Sequence, residues 1–129
     1  FISIGTNDLA QFTFACDRGN PRLTERYDVL SSPFLKLMGD IVAKADVAGV
    51  YCSVCGEMAS NPIEAMALIG LGYRNLSASG SSYGRVKSMI RSVNAAEVSD
   101  YVKSLLKSQK RTLRPQLMAY AYDHGIEIY

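Results

Sequence analysis

Short apolar runs that alternate with longer helical patterns are the feature that most restricts how this 129-residue chain can fold. Phe1-Ile2-Ser3-Ile4 reads as a buried strand ended by Gly5. Residues 50–54 read as a second strand ending at Cys55-Gly56-Glu57, and residues 75–79 as a third, with Leu76 and Ala78 apolar. Ser32 and Pro33 open a helix as N-cap and first helical residue; Leu37, Ile41, Val42 and Ala45 carry its apolar stripe and Gly49 closes it. Ser60-Asn61-Pro62 starts another, with Ile63, Ala67 and Leu68 on one face and a stop at residues 70–72. A third follows Ser81-Ser82, and two more are expected over 95–108 and 112–124. Strands alternating with helices demand a parallel sheet, because parallel neighbours need a crossover between them. Three strands are few for such a sheet, which wants cover on both faces and neighbours on both edges. The expected fold is therefore α/β, the last part of a larger α/β barrel, with residues 1–129 as one portion of that domain. An opening at Phe1, inside a strand, fits a piece cut from something longer.

Charge and composition exclude several functions. Fourteen Lys and Arg against twelve Asp and Glu leave a net charge of +2, too even to announce a nucleic-acid or membrane partner. No apolar run approaches the roughly 20 residues that span a bilayer, and the start lacks a secretory signal pattern. Three cysteines, an odd number, argue for a reducing compartment over a disulfide framework, so a cytoplasmic location is expected.

In an α/β barrel the polar residues just after each strand line the active mouth. That rule selects Gly5-Thr6-Asn7-Asp8, Cys55-Gly56-Glu57 and Ser79-Gly80-Ser81-Ser82, with Arg18 able to reach the same mouth from a long loop. Thr6-Asn7-Asp8 reads as a polar turn. A carboxylate there can hold Mg²⁺, and an amide can donate to a phosphoryl oxygen without adding charge. The competing reading of Asp8 is a cap on a short helix beginning at Leu9. Arg18 offers a planar fork for a carboxylate or phosphate, against a plain solvated loop arginine.

Cys52-Ser53-Val54-Cys55 is a C-x-x-C pattern, yet residues three apart on a strand point to opposite faces, which argues against a shared metal or bond. Cys16 and Cys52 read as buried thiols. Cys55 differs, because the following Gly56 permits close approach of the backbone to a ligand, and a thiol at the mouth can act as nucleophile or proton donor. The single histidine, His124, reads as a helix C-terminal residue.

Phe1-Ile2-Ser3-Ile4-Gly5-Thr6-Asn7-Asp8-Leu9, Asp17-Arg18-Gly19-Asn20 and Val54-Cys55-Gly56-Glu57-Met58-Ala59 together resemble the C-terminal domain of the phosphoenolpyruvate-protein phosphotransferases, Enzyme I of the phosphotransferase system. This family is related to pyruvate phosphate dikinase and phosphoenolpyruvate synthase. The tail from Leu113 to Gly125 looks more like the nitrogen-related branch of Enzyme I. The resemblance implies the C-terminal part, about three strands and their helices, of a (β/α)₈ TIM barrel that binds phosphoenolpyruvate and Mg²⁺. It implies phosphoryl transfer to a His on a separate N-terminal domain and onward to an HPr-like phosphocarrier protein. By position, Asn7 would contact the phosphoryl group, Asp8 would bind substrate and ligate Mg²⁺, and Arg18 would clamp the substrate. Cys55 would protonate the enolate to give pyruvate. The family's phosphorylated His, a further metal carboxylate and two further arginines lie outside this chain, which by itself is expected to have no turnover. Other expectations are a homodimer or higher oligomer, an assembly module without catalysis of its own, or a synthase- or dikinase-type relative.

Overall fold

The computed structural model describes residues 1–17, 19–24 and 27–129. Strand β1 (Ile2–Gly5) leads directly into helix α1 (Thr6–Phe14), followed by the short α2 (Pro21–Thr24) and the long α3 (Ser32–Val47). Strand β2 (Cys52–Cys55) runs into α4 (Glu57–Ser60) and α5 (Pro62–Leu71), and β3 (Leu76–Ser77) into α6 (Tyr83–Ser92), α7 (Ala95–Leu105) and α8 (Arg114–Asp123). The strands form one parallel sheet in chain order, β1-β2-β3, as the alternation of elements predicts. Ile4 lies opposite Val54, which lies opposite Leu76; one residue on, Gly5, Cys55 and Ser77 share a row.

That register divides the sheet into two unlike faces. Ile4, Cys52 and Val54 are buried, whereas Ser3, Ser53, Cys55 and Ser77, on the alternate positions, are partly or fully exposed. The apolar face packs on the helices. Among these, α5 is the centre of the core, with every residue from Pro62 to Gly70 buried, as expected of a helix that is apolar almost all round. Asn61 caps it, its Oδ1 accepting from the Ile63 N–H at 3.2 Å, and Pro62 occupies the first turn where no amide proton is needed. Gly70 lies where α5 meets α7: a Cβ there would fall 2.7 Å from Val102 Cγ2 and 2.9 Å from Val98 Cγ1.

Several local expectations are corrected. Thr6-Asn7-Asp8 is not a turn but the first turn of α1, and its N-cap is Gly5 rather than Asp8. A first helical turn leaves its amide protons unpaired and favours a carboxylate, which lets turn-forming residue types start a helix. The N-cap of α3 is Ser31 rather than Ser32, and its buried stripe is Phe34, Leu35, Met38 and Ala45, with Leu37 half-buried. The strands are shorter than expected: Val50 and Tyr51 precede β2, and β3 has two residues. The short helices α2 and α4 carry no periodicity that a sequence pattern would show. Among the described residues no helix is long and apolar enough to cross a membrane.

The C-terminal helix is tied to the core by charge. Arg114 opens α8 and donates to both Asp28 oxygens, Nη2 to Oδ1 at 2.8 Å and Nε to Oδ2 at 3.0 Å, and from Nη2 to Glu64 Oε1 at 2.7 Å. Burial pushes the Asp28 carboxyl up, but hydrogen bonds from Arg114, Thr112 and the Leu30 N–H together outweigh it and leave its pKa lowered. Glu64, more deeply buried on α5, stays raised: burial pushes it up and Arg114 does not bring it back.

Two tests follow from this packing. Replacing Gly70 with Ala gains about 1 kcal/mol of helix propensity. The new methyl meets two stiff valines, and overpacking of that kind costs typically 1–3 kcal/mol. The expected net is a lower urea midpoint, and an unchanged or higher one would contradict the close α5–α7 contact. The pH dependence has two limbs of opposite sign. Ionised Glu64 costs stability above its raised folded-state pKa, a cost relieved as pH falls toward the ordinary carboxyl value of about 4.3. Asp28 contributes stability above about 3.9, lost as pH drops through its lowered value. Glu64→Gln, which keeps an acceptor for Arg114, should abolish the first limb of a melting-temperature profile and spare the second.

Candidate functional site

The carboxyl ends of the three strands gather the residues that the barrel-mouth rule selects. Gly5 and Cys55 are register partners, so the segments that follow them, Thr6-Asn7-Asp8 and Gly56-Glu57, emerge side by side. Side chains then lock these segments together. The Thr6 hydroxyl donates to the Cys55 carbonyl at 3.1 Å, and the Glu57 N–H donates to Asn7 Oδ1 at 3.0 Å. Because a backbone N–H can only donate, the Asn7 atom facing it is the carbonyl oxygen, and the Nδ2 amide is left to donate elsewhere.

Gly56 makes this contact possible. Its φ is +100°, and a Cβ at this position would lie 2.7 Å from Thr6 Oγ1 and 2.9 Å from Asn7 Oδ1. Gly56 thus lets α1 approach the turn after β2 closely.

Cys55 is partly exposed on the polar face of the sheet, whereas Cys16 and Cys52 are buried. Its S–H donates to the Ile4 carbonyl at 3.5 Å, and the Ser3 hydroxyl donates to its sulfur at 3.9 Å. Burial pushes the Cys52 thiol up, which makes it the poorer nucleophile. The two cysteines of the C-x-x-C pattern lie on opposite faces, as strand geometry requires.

Asp8 sits in the first turn of α1, near Gly5, where a Cβ would lie 4.0 Å from its Oδ2. Among the described residues no group of three His, Cys, Asp or Glu could hold a metal by itself. A single carboxylate is not foreign to Mg²⁺, which keeps several waters and is commonly bound by one or two carboxylates plus substrate phosphates. Arg18 lies outside the described residues. After β3, Ser79 anchors the third segment: its N–H donates to Ser60 Oγ at 2.9 Å and its hydroxyl to Ser82 Oγ at 3.0 Å. His124 caps the end of α8, its ring stacked on Tyr120 with centroids 4.0 Å apart.

A cleft of about 650 Å³ opens beside Asn7 and Glu57 and extends to Asp28, Glu64 and Arg114. Neither Asp8 nor Cys55 lines it, so it adjoins the strand-end cluster without containing it. The Arg114 network on its far side went unread in the sequence. Its available signal was Glu64, a lone carboxylate in the otherwise apolar run Pro62-Ile63-Glu64-Ala65-Met66-Ala67-Leu68.

Residues 1–95 match the model of the family described as PEP-utilising enzyme, PEP-binding domain. An Escherichia coli K12 protein named phosphoenolpyruvate-dependent phosphotransferase system is 39% identical over 127 residues, 98% of this chain and 17% of its own length. Proteins named phosphoenolpyruvate-protein phosphotransferase from Borreliella burgdorferi and Priestia megaterium are 35% and 36% identical over 86% and 82% of the chain. The chain spans 17–19% of the length of these relatives. The Asn7-bearing and Cys55-bearing segments, locked together at the strand ends, both fall inside the matched region, and the chain belongs to the PEP-utilising enzyme family through its PEP-binding domain.

Proposed function

We propose that this chain is the C-terminal portion of the phosphoenolpyruvate-binding (β/α)₈ barrel of a phosphoenolpyruvate-protein phosphotransferase. The observation that supports it most is the bond from the Glu57 N–H to Asn7 Oδ1, which leaves an amide donor next to Asp8 and two residues after Gly5, the register partner of Cys55. A parallel sheet in chain order with one hydroxyl-bearing face also suits the inner wall of a barrel whose other strands lie elsewhere.

In this reading the phosphate of phosphoenolpyruvate accepts from Asn7 Nδ2, and Arg18 clamps the substrate. Asp8 holds Mg²⁺, which supplies neutralisation of the charge on the phosphoryl oxygens when bound. The phosphoryl group leaves for a His of another domain, and the electron pair of the breaking O–P bond remains as pyruvate enolate. Cys55 then delivers its proton to the methylene carbon, giving pyruvate and a thiolate. Ser3, donating to the sulfur, helps to position it. Run backwards, the thiolate takes the proton from pyruvate. The onward partner is an HPr-like phosphocarrier, and the setting is cytoplasmic.

The direct test is a titration of Mg²⁺ and phosphoenolpyruvate into this chain, followed by backbone amide NMR. Amides of residues 5–8 and 55–57 should shift together, and both Asn7→Ala and Gly56→Ala should abolish the response, the second by displacing Asn7. Shifts that persist in Asn7→Ala would overturn the amide's role. In a full-length phosphotransferase carrying this segment, Cys55→Ser should cut kcat by about 10²–10⁴-fold, the usual worth of a positioned proton donor, with KM little changed. Near-normal turnover would remove Cys55 from the proton step.

A further inference from the structure

The stacked rings of Phe14 and Tyr27, with centroids 5.2 Å apart, border the Arg114 cleft and also a second pocket of about 490 Å³. Among the described residues that line this second pocket, the charged side chains are all basic: Lys36 from α3, and Lys110 and Arg111 from the segment before α8. Among the described residues none of these three cations lies in an ion pair, whereas Arg114 next door is held by two carboxylates. Three unpaired cations facing one concavity repel each other unless an anion joins them.

The pocket lies at the N-terminal end of α3, a helix of 16 residues. Its N-cap, Ser31, lines the pocket and is 5% exposed, yet its hydroxyl makes no capping bond and has no partner. An N-cap serine ordinarily accepts from an amide proton of the first turn, and a buried hydroxyl is ordinarily satisfied. The neighbouring Ser32 does find partners. Its hydroxyl donates to the Ser108 carbonyl and its N–H to the Lys110 carbonyl at 3.2 Å. These bonds fasten the segment carrying Lys110 and Arg111 to the start of α3, so the basic wall is held in place by main-chain contacts.

We propose that this pocket binds a small phosphorylated molecule, its phosphate at the start of α3 among Lys36, Lys110, Arg111 and the Ser31 hydroxyl, its carbon part against Phe14 and Tyr27. Several donors lining one pocket suit a compact head group with three acceptor oxygens and nearly two negative charges, more than a single carboxylate offers. The positive end of α3 adds to the same field. The volume falls in the range of small-molecule sites and is too confined for a folded partner. Because Phe14 and Tyr27 also border the cleft beside Asn7, a ligand here would touch the wall of that cleft without entering it.

The test is a titration of inorganic pyrophosphate into the chain at low salt, read by backbone amide NMR. Saturable shifts confined to residues 31–36 and 109–111 are expected, with a Kd of about a millimolar or tighter. Lys110→Ala with Arg111→Ala should weaken binding at least about tenfold, and Lys87→Ala with Arg91→Ala, an equal loss of charge on α6, should leave it unchanged. Ser31→Ala breaks no internal bond, so it should weaken binding several-fold while leaving the urea midpoint where it was. Acetate should give no saturable response. Absence of saturation, equal weakening in the two double variants, full affinity in Ser31→Ala or acetate binding as tight as pyrophosphate would each overturn the proposal.

Discussion

The parallel register of β1 against β2 is the constraint from which the rest of the molecule follows. Pairing Ile4 with Val54 puts two apolar side chains on the helix-facing side at the same level, where β2 packs on α3 and α4 in one core with α5. The next row, Gly5 with Cys55, then has to end both strands together, and the chain leaves each strand into a helix at the same height. Only from that shared height can the Thr6 hydroxyl reach the Cys55 carbonyl and the Glu57 N–H reach Asn7. A slip of one residue would turn Ser53 and Cys55 into the core and Val54 out of it, so the pattern that builds the core also protects the alignment of the site.

Two kinds of interaction hold the molecule, and they are divided in space. Around α5 the contacts are apolar and tight, to the point that residue 70 has room only for glycine. At the mouth they are directional: single hydrogen bonds between short polar side chains and main-chain groups, with Gly56 in a conformation that other residues rarely adopt. The Arg114 network lies between the two regimes. Its guanidinium bridges a carboxylate whose pKa burial raises and one whose pKa hydrogen bonds lower.

The sequence was most legible where periodicity and punctuation agree. The α5 start at Asn61-Pro62 and the alternation of strand and helix are readable because capping chemistry and apolar spacing point the same way. Thr6-Asn7-Asp8 was not, because the residue types that favour turns also favour first helical turns, and the choice is made by Gly56 some fifty positions away. The same holds for the site. Asn7, Asp8 and Cys55 could be nominated from their places after strands, but the orientation of the Asn7 amide is set by the Glu57 main chain, which no side-chain pattern reports. Glu64 and Arg114 are fifty residues apart, and only the fold makes them neighbours.

The match to the family model stops at residue 95, yet the core does not. Val98 and Val102 close over Gly70, Leu113 and Leu117 are fully buried, and Arg114 supplies the charge opposite Glu64. A chain trimmed at that limit would bare an entire flank of α5 and strand a buried carboxylate without its counter-charge. The limit of the family model is therefore not a seam in the molecule: the last quarter of the chain completes the same interior.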